Sequence, residues 1–427
     1  DIYSFFCWRT LRINLKQQAT KHKIDFIQRV YPHSVQSMEM QEINFPTKNE
    51  ETVASSASDQ SEILKPGTKI KPIISVKEVE KLAERLYGIT VQEIREIISY
   101  DDRNFFISED RNIKNPIIAN HSNNGYVLKV LNALDSHKAG FVDAQTKLML
   151  FLGQQNIMCP KPIMNVYGRY FSTELLGTSK HIVRLLEYIP GQIFKEIPPS
   201  NNLFYQAGLF VAKFDRAIKN FTHDAYKTHK SLWMLDFVPK LEEFVYALKD
   251  ISKQEIVEEV IAEFKSKVVN KYDKFEKGVI HGDFNEHNVL VNKCTSTSEK
   301  EYVVSGILDF GDSCYTLYVF ELAIAMAYMM LQTGQLETGG YFLAGYESIR
   351  LVPQHEFDVL RICVAARLCQ SLVLGIYTYT LDPENEYILS SQKNGWDLLQ
   401  LLWSDEGKKA PELWRQTADE YLKQSYK

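Results

Sequence analysis

The feature that most constrains this chain is a β-rich island, Val279 to Phe310, set inside a region whose apolar spacing is otherwise helical. Two polar motifs lie at its strand ends. The first is His281-Gly282-Asp283-Phe284-Asn285-Glu286-His287-Asn288, the second Asp309-Phe310-Gly311-Asp312. Between them, Val289-Leu290-Val291 and Val303 to Asp309 read as the two strands of a hairpin, joined by a polar loop from Asn292 to Lys300. A hairpin returns the chain alongside itself. Asn288 and Asp309, 21 positions apart in sequence, are therefore expected to face one cleft. Each short motif alone is an ordinary turn; both together, in this order and at strand ends, form a specific signal.

The residue types define a chemistry. A carboxylate at Asp283 can accept the proton of an incoming hydroxyl or orient that hydroxyl for in-line attack. Asn288 offers a neutral carbonyl oxygen and Asp309 a carboxylate, a pairing suited to Mg2+, which takes one or two carboxylates and fills its shell with phosphate oxygens and water. Lys129 ends the run Tyr126-Val127-Leu128 on an expected third strand, where a lysine can grip the α- and β-phosphates of a nucleotide. Such a lysine needs an acid on the following helix, and Asp143 is the candidate. The chain has no G-x-G-x-x-G and no P-loop motif. The turn Ser99 to Asn104 is then left to cover the phosphates, with Arg103 and Asn104 at the nucleotide; a plain solvated hairpin turn is the competing interpretation. Glu187-Tyr188-Ile189 is placed to meet a nucleobase through its backbone, or to serve as a simple linker. Asp312 and Glu286 add acids near the motif. Arg367, on an apolar helix, either meets an acceptor carboxylate or lies on the helix's wet face, and Glu321 is either an acceptor contact or half of a buried structural pair.

Composition shifts divide the chain. Residues 1–70 are expected to be a disordered or mispredicted extension, with few apolar residues between Asn44 and Thr68. Val76 to Tyr87 is spaced as a helix capped by Ser75. Residues 75–189 then read as a small antiparallel β lobe: a hairpin of Val91 to Ile98 and Phe105 to Ser108, a strand Tyr126 to Val130, a helix Phe141 to Leu152, and strands at Tyr170 to Ser172 and His181 to Tyr188. Residues 190–427 form a larger, mostly helical lobe, with helices over Leu203 to Phe214, Leu235 to Lys249, Glu255 to Phe275 and from Val319 onward. The class is α+β.

Bulk properties narrow the partners. The 427 residues carry a net charge of −5, which gives no electrostatic reason to expect nucleic acid. The apolar run Val319 to Leu331 contains Glu321 and is too short to span a bilayer, so no membrane partner is expected. Six cysteines far apart make no disulfide framework and suit a reducing cytosol. The basic segment Phe5 to His33 has the character of a mitochondrial presequence, but an unmatched extension and a cytoplasmic location are the adopted reading.

These residues resemble the aminoglycoside phosphotransferase and choline kinase superfamily. His281 to Asn288 is similar to its catalytic loop, and Ile307 to Asp312 to its metal-binding segment. Within that superfamily the closer resemblance is to its hydroxylysine kinase branch. It is carried by Ser99 to Phe105, Val183 to Gly191, Ser305 to Asp312 with Tyr318 to Glu321, and Leu343 to Ile349. The resemblance runs from about residue 75 to the C-terminus. It implies a two-lobed protein-kinase-like fold, GTP (or ATP) as donor, and phosphorylation of the side-chain hydroxyl of 5-hydroxylysine in lysine breakdown. Spacing alone implies only a small hydroxyl-bearing acceptor. Choline, homoserine, an aminoglycoside or a sugar stay open, as does a nucleotide-binding scaffold without catalysis. A protein acceptor is disfavoured, because no activation-loop region is evident after Asp309. An amino-acid acceptor would call for acids and one cation, which Asp312, Glu286 and Arg367 can supply.

Overall fold

The computed structural model describes residues 69–113, 115–118, 121–294, 302–383, 389 and 391–425. The expectation for residues 1–70 falls almost wholly outside them. Residues Arg111–His121 belong to a separate compact unit and carry only turns and bends where described. The rest of the described chain belongs to one large unit.

It opens with the helix Val76–Tyr87, started by a reciprocal capping box: Glu78 N–H donates to Ser75 Oγ, and Ser75 N–H donates to Glu78 Oε2 at 2.8 Å. An antiparallel sheet follows. Its strands are β1 (Val91–Ile97), β2 (Arg103–Glu109), β3 (Tyr126–Val130), β4 (Pro162–Ile163), β5 (Phe171–Leu176) and β6 (Ser179–Glu187). The order is β1-β2-β3-β6-β4, and β5 also pairs with β6. The register sets Lys129 on β3 directly beside Arg184 on β6. The helix Ala139–Gln154 covers the sheet, with Val142 packed on Leu131 and Ile182.

The rest is mainly helical. A tiny strand β7 (Gln192–Ile193) precedes the helices Asn201–Ile218 and Ile251–Lys267. The expected helix over Leu235 to Lys249 is instead a pair of 3-10 segments, Leu235–Glu243 and Val245–Ala247. Pro239 sits inside the first, where it lacks an N–H for the α ladder and crowds the preceding turn. The expected helix Glu255 to Phe275 also ends early, at Lys267, and passes into a 3-10 turn. The apolar helices Tyr318–Thr333 and Gln354–Leu381 form the centre of the core. The latter is long and apolar enough to cross a membrane, but 83% of its apolar window is buried inside the protein.

Two small ribbons decide where the motifs lie. Strands β9 (Val289–Lys293) and β10 (Tyr302–Ile307) form the expected hairpin, with β7 on the outer edge of β9. Strands β8 (Lys277–Ile280) and β11 (Cys314–Leu317) form a second antiparallel pair, which the sequence reading did not foresee. The His281–Asn288 loop joins β8 to β9, and the Leu308–Ser313 loop joins β10 to β11. The pairs Ile307↔Val289 and Cys314↔Ile280 thus pin both ends of both loops, and the loops must run side by side.

Candidate active site

The two loops are fastened to each other by buried contacts. Gly282 has φ +79°, and a Cβ there would lie 2.4 Å from the Asp312 carbonyl oxygen; only glycine permits this approach. His281 is fully buried and bridges the loops. Its Nε2–H donates to the Leu308 carbonyl at 2.9 Å and its Nδ1 accepts from Asp283 N–H at 3.3 Å. Burial lowers its pKa, and this bonding pattern is that of the neutral ring. Glu321 is buried behind the loop and accepts Gly282 N–H at 3.0 Å. Burial first, and then the Asp215 charge, push its carboxyl up to about 8. It supports the loop from within the core and does not line the cleft, which corrects its assignment as an acceptor contact.

Asp283 is held on all sides. Its Oδ2 accepts from the side-chain amides of Asn285 and Asn288, both at 2.8 Å, and its Oδ1 from Arg367 Nη2 at 2.9 Å. Arg367 is 1% exposed, so neither a wet helix face nor a free acceptor anchor describes it. Its Nη1 donates to the Trp233 carbonyl and to Gln370 Oε1, and its guanidinium lies over the Trp233 and Tyr328 rings. A buried guanidinium needs such a shell, and sequence spacing carries no sign of it.

Asn288 spends its side-chain nitrogen on Asp283, while its side-chain oxygen Oδ1 has no hydrogen-bond partner among the described residues. Asp309 adopts φ +51°, an uncommon region for a residue with a side chain. Its Oδ2 accepts from Lys129 Nζ at 2.9 Å and its Oδ1 from Gly311 N–H at 3.0 Å. Burial opposes its charged form, yet Lys129, Arg184 and the Gly311 N–H hold its carboxyl well below the usual carboxylate range. Asn288 and Asp309 line the same cavity of about 950 Å³, with Lys129 and Asp283. The donor set, one ionised carboxylate and one amide carbonyl, fits a divalent metal that completes its shell from phosphates and water.

The nucleotide side is partly as expected. Lys129 is 4% exposed and lines the cavity. Its acid partners are Asp309 and, at 3.7 Å, Asp102; Asp143 is not one of them. Asp143 lies on the half-exposed outer face of its helix and pairs with Lys147 at 2.6 Å and His223 at 3.3 Å. Two positions on, Gln145 is the helix residue that faces inward. Its Oε1 accepts from Arg184 Nη1 at 2.9 Å and its Nε2 donates to the Gly311 carbonyl. Helix geometry explains the correction: a shift of two residues rotates a side chain by more than half a turn. Arg184 was missed, although a charge amid Val183 and Leu185-Leu186 was a visible signal. Arg103 does not line the cavity, since its guanidinium bonds Glu96 and the Ile74 carbonyl at the sheet edge. Asn104 does line it, as do Glu187, Tyr188 and Ile189. The Ile189 N–H has no partner among the described residues, as a nucleobase contact requires. Asp102, also missed, ties the β1–β2 turn down by accepting from Asn132 N–H at 2.8 Å. Glu286 and Asp312 both line the cavity; Glu286 is 3.6 Å from Lys195.

Residues 93–356 match the phosphotransferase enzyme family. The chain belongs to that family. As a family member it is a phosphotransferase that acts on a hydroxyl group of a small molecule and takes its phosphate from a nucleotide, typically with a divalent metal. Its relatives include hydroxylysine kinase from Xenopus laevis, 36% identical and covering 82% of this chain and 96% of that protein. Hydroxylysine kinase from Bos taurus is also 36% identical, covering 82% and 95%. Among solved structures, an amicoumacin kinase superposes with a TM-score of 0.56 at 16% identity, over 81% of this chain and 94% of that one. An aminopropanol kinase gives 0.55 at 15%, over 79% and 100%. The family architecture is the two-lobed, protein-kinase-like α+β fold described above.

Proposed function

We propose that the protein transfers the terminal phosphate of GTP, with Mg2+, to the side-chain hydroxyl of 5-hydroxy-L-lysine. The observation that carries this reading is the likeness to vertebrate hydroxylysine kinases along 82% of the chain, which spans both loops and their ribbons. The metal, held by Asp309 and Asn288, would neutralise charge on the transferring phosphates. The chain's own groups do the rest. Asp283 Oδ1 and Oδ2 are presented at the cleft by fixed donors, so an acceptor hydroxyl docking there finds an oriented proton acceptor. Lys129 and Arg184 bring two buried cations to the cavity wall beneath the phosphates. Glu187, Tyr188 and Ile189 receive the base.

The test is a donor and acceptor panel with the purified full chain. GTP and ATP are each paired with 5-hydroxylysine, homoserine, choline, an aminoglycoside and a sugar. The expected result is turnover with 5-hydroxylysine at a kcat/KM at least about 100-fold above any other acceptor, and a preference for GTP. Turnover with another acceptor alone would overturn the substrate. Asp283→Ala is expected to reduce kcat by about 10²–10⁴-fold while nucleotide binding survives.

A further inference from the structure

A small annex of about 50 Å³ shares part of its lining with the main cavity: Asp101, Asp135 and Asp312 line both spaces. The three carboxylates come from separate elements: the β1–β2 turn, the short helix Ala133–Ser136, and the loop between β10 and β11. Asp135 is matched by Asn132 Nδ2 at 2.8 Å and Lys138 Nζ at 3.2 Å. The carboxylates of Asp101 and Asp312 have no hydrogen-bond or ion-pair partner among the described residues. The cations that act on them are engaged elsewhere, Lys71 with Asp382 at 3.2 Å and Arg367 with Asp283.

A second observation points to a ligand. His229 lines the annex, is 8% exposed, and has no partner on either ring nitrogen. Its ring stacks on Phe141 with centroids 3.5 Å apart. Burial, aided by Lys138, brings its pKa down to about 3, so it is a neutral ring with a lone pair to offer. Burial and neighbouring acids push the Asp101 carboxyl up to about 7, and burial with the Asp283 charge pushes Asp312 well above its ordinary value. No lysine or arginine lines the annex, and it has unused acceptors. Tyr100 and Trp233 also line both spaces, with rings edge-on at 5.4 Å, and such faces favour a cation. No three metal-ligating side chains among the described residues are grouped closely enough to hold a metal ion. A larger cation with three N–H donors suits the site better.

We propose that this annex receives a primary ammonium group of the acceptor, and that Asp101, carried on the β1–β2 turn, selects amino alcohols over plain alcohols. The inference rests on the 5-hydroxylysine reading above and deepens it. In that acceptor the ε-ammonium is on the carbon next to the hydroxyl-bearing one. The annex is adjacent to Asp283, because the Asp312 backbone abuts Gly282. An ammonium seated between Asp312 and Asp101 leaves the neighbouring hydroxyl facing Asp283.

The experiment uses the full chain with GTP and Mg2+ and two acceptors, 5-hydroxy-L-lysine and 2-amino-5-hydroxyhexanoic acid, which keeps the hydroxyl and lacks the ε-amine. The wild type should favour 5-hydroxylysine by about 100-fold in kcat/KM, and Asp101→Asn should lower kcat/KM for 5-hydroxylysine by about 10- to 100-fold. The same substitution should leave kcat/KM for the acceptor that lacks the ε-amine within about threefold. Equal losses on both acceptors, or no loss, would overturn the proposal. Calorimetry with L-lysine, a probe that cannot react, supplies an independent arm. Asp101→Asn and His229→Phe should each weaken its binding by about tenfold or more. Should the wild type phosphorylate neither acceptor, the substrate reading fails on its own and the lysine titration judges the annex; undetectable or unaltered lysine binding refutes it. Equal activation of both acceptors by K+ would assign the annex to an inorganic cation and also overturn the proposal.

Discussion

Replacing Arg367 by methionine tests whether Asp283 is a catalytic group poised by a buried cation. Methionine keeps most of the side-chain volume and removes the guanidinium. The ion pair lies at 2.9 Å between a 2% exposed arginine side chain and an 18% exposed aspartate side chain. At an effective dielectric near 20 the gross attraction over that distance is roughly 6 kcal/mol. Desolvation of both groups offsets much of it, but the single substitution strands the Asp283 charge and costs about 3–5 kcal/mol. Trp233 O and Gln370 Oε1 also lose their donor. With its Oδ1 unanchored, Asp283 is no longer fixed for in-line attack, and a displacement of about 1 Å costs on the order of 10²-fold in rate. Single-turnover kinetics at saturating nucleotide and acceptor should therefore show a 10²- to 10³-fold slower chemical step in Arg367→Met, with nucleotide affinity near that of the wild type. Arg367→Lys should recover part of the rate through charge alone. A double-mutant cycle with Asp283→Asn isolates the pair, and the double variant should be hardly slower than Asp283→Asn. A folded Arg367→Met protein with a chemical step within threefold of wild type, or strictly additive losses, would refute the positioning role.

Other expectations follow from the same geometry. Lys129→Met should raise the KM for nucleotide and cut kcat/KM by about 10²-fold or more, whereas Asp143→Ala, on the outer face of its helix, should change kcat/KM by less than about twofold. Gly282→Ala places a Cβ 2.4 Å from a backbone oxygen at positive φ, and should destabilise by about 3 kcal/mol or more in denaturant unfolding with loss of activity. Burial, then Asp215, raises Glu321 to about 8 from its ordinary 4.5, so the folded state keeps a proton that the unfolded state releases. Stability should then fall as pH rises, by about 2 kcal/mol between pH 6.5 and 8, and Glu321→Gln should flatten that slope in thermal melts. Below pH 6.5 the buried His229, lowered to about 3, acts in the opposite sense, because the unfolded chain then binds the extra proton. A Tm that climbs from pH 6.5 to 8 would contradict this assignment.

Much of the site was legible because its signals are local. Strand alternation and the polar turns predicted the β9–β10 hairpin and the strand that carries Lys129, and the Ser75 cap predicted the first helix. The errors were non-local. Pairing of β8 with β11 joins two four-residue strands whose composition is unremarkable, and only the register between them shows that the loops are pinned at both ends. Asp143 and Gln145 are equally plausible helix acids or amides by position. Which of them turns inward depends on how the helix is rotated on the sheet, and that is set by Val142 against Leu131 and Ile182. Arg103 appeared next to the phosphates by position in a turn, yet Glu96 across the ladder captures it.

By itself the sequence determined which reacting groups exist and where strands, caps and turns begin, since those depend on neighbours a few residues away. Only the tertiary structure decided which charge meets which. Lys129 reaches Asp309 across 180 positions, and Asp283 meets Arg367 across 84. Partner choice among buried charges is made by packing, because an ion removed from water must be matched by whatever opposite charge the folded chain brings within reach.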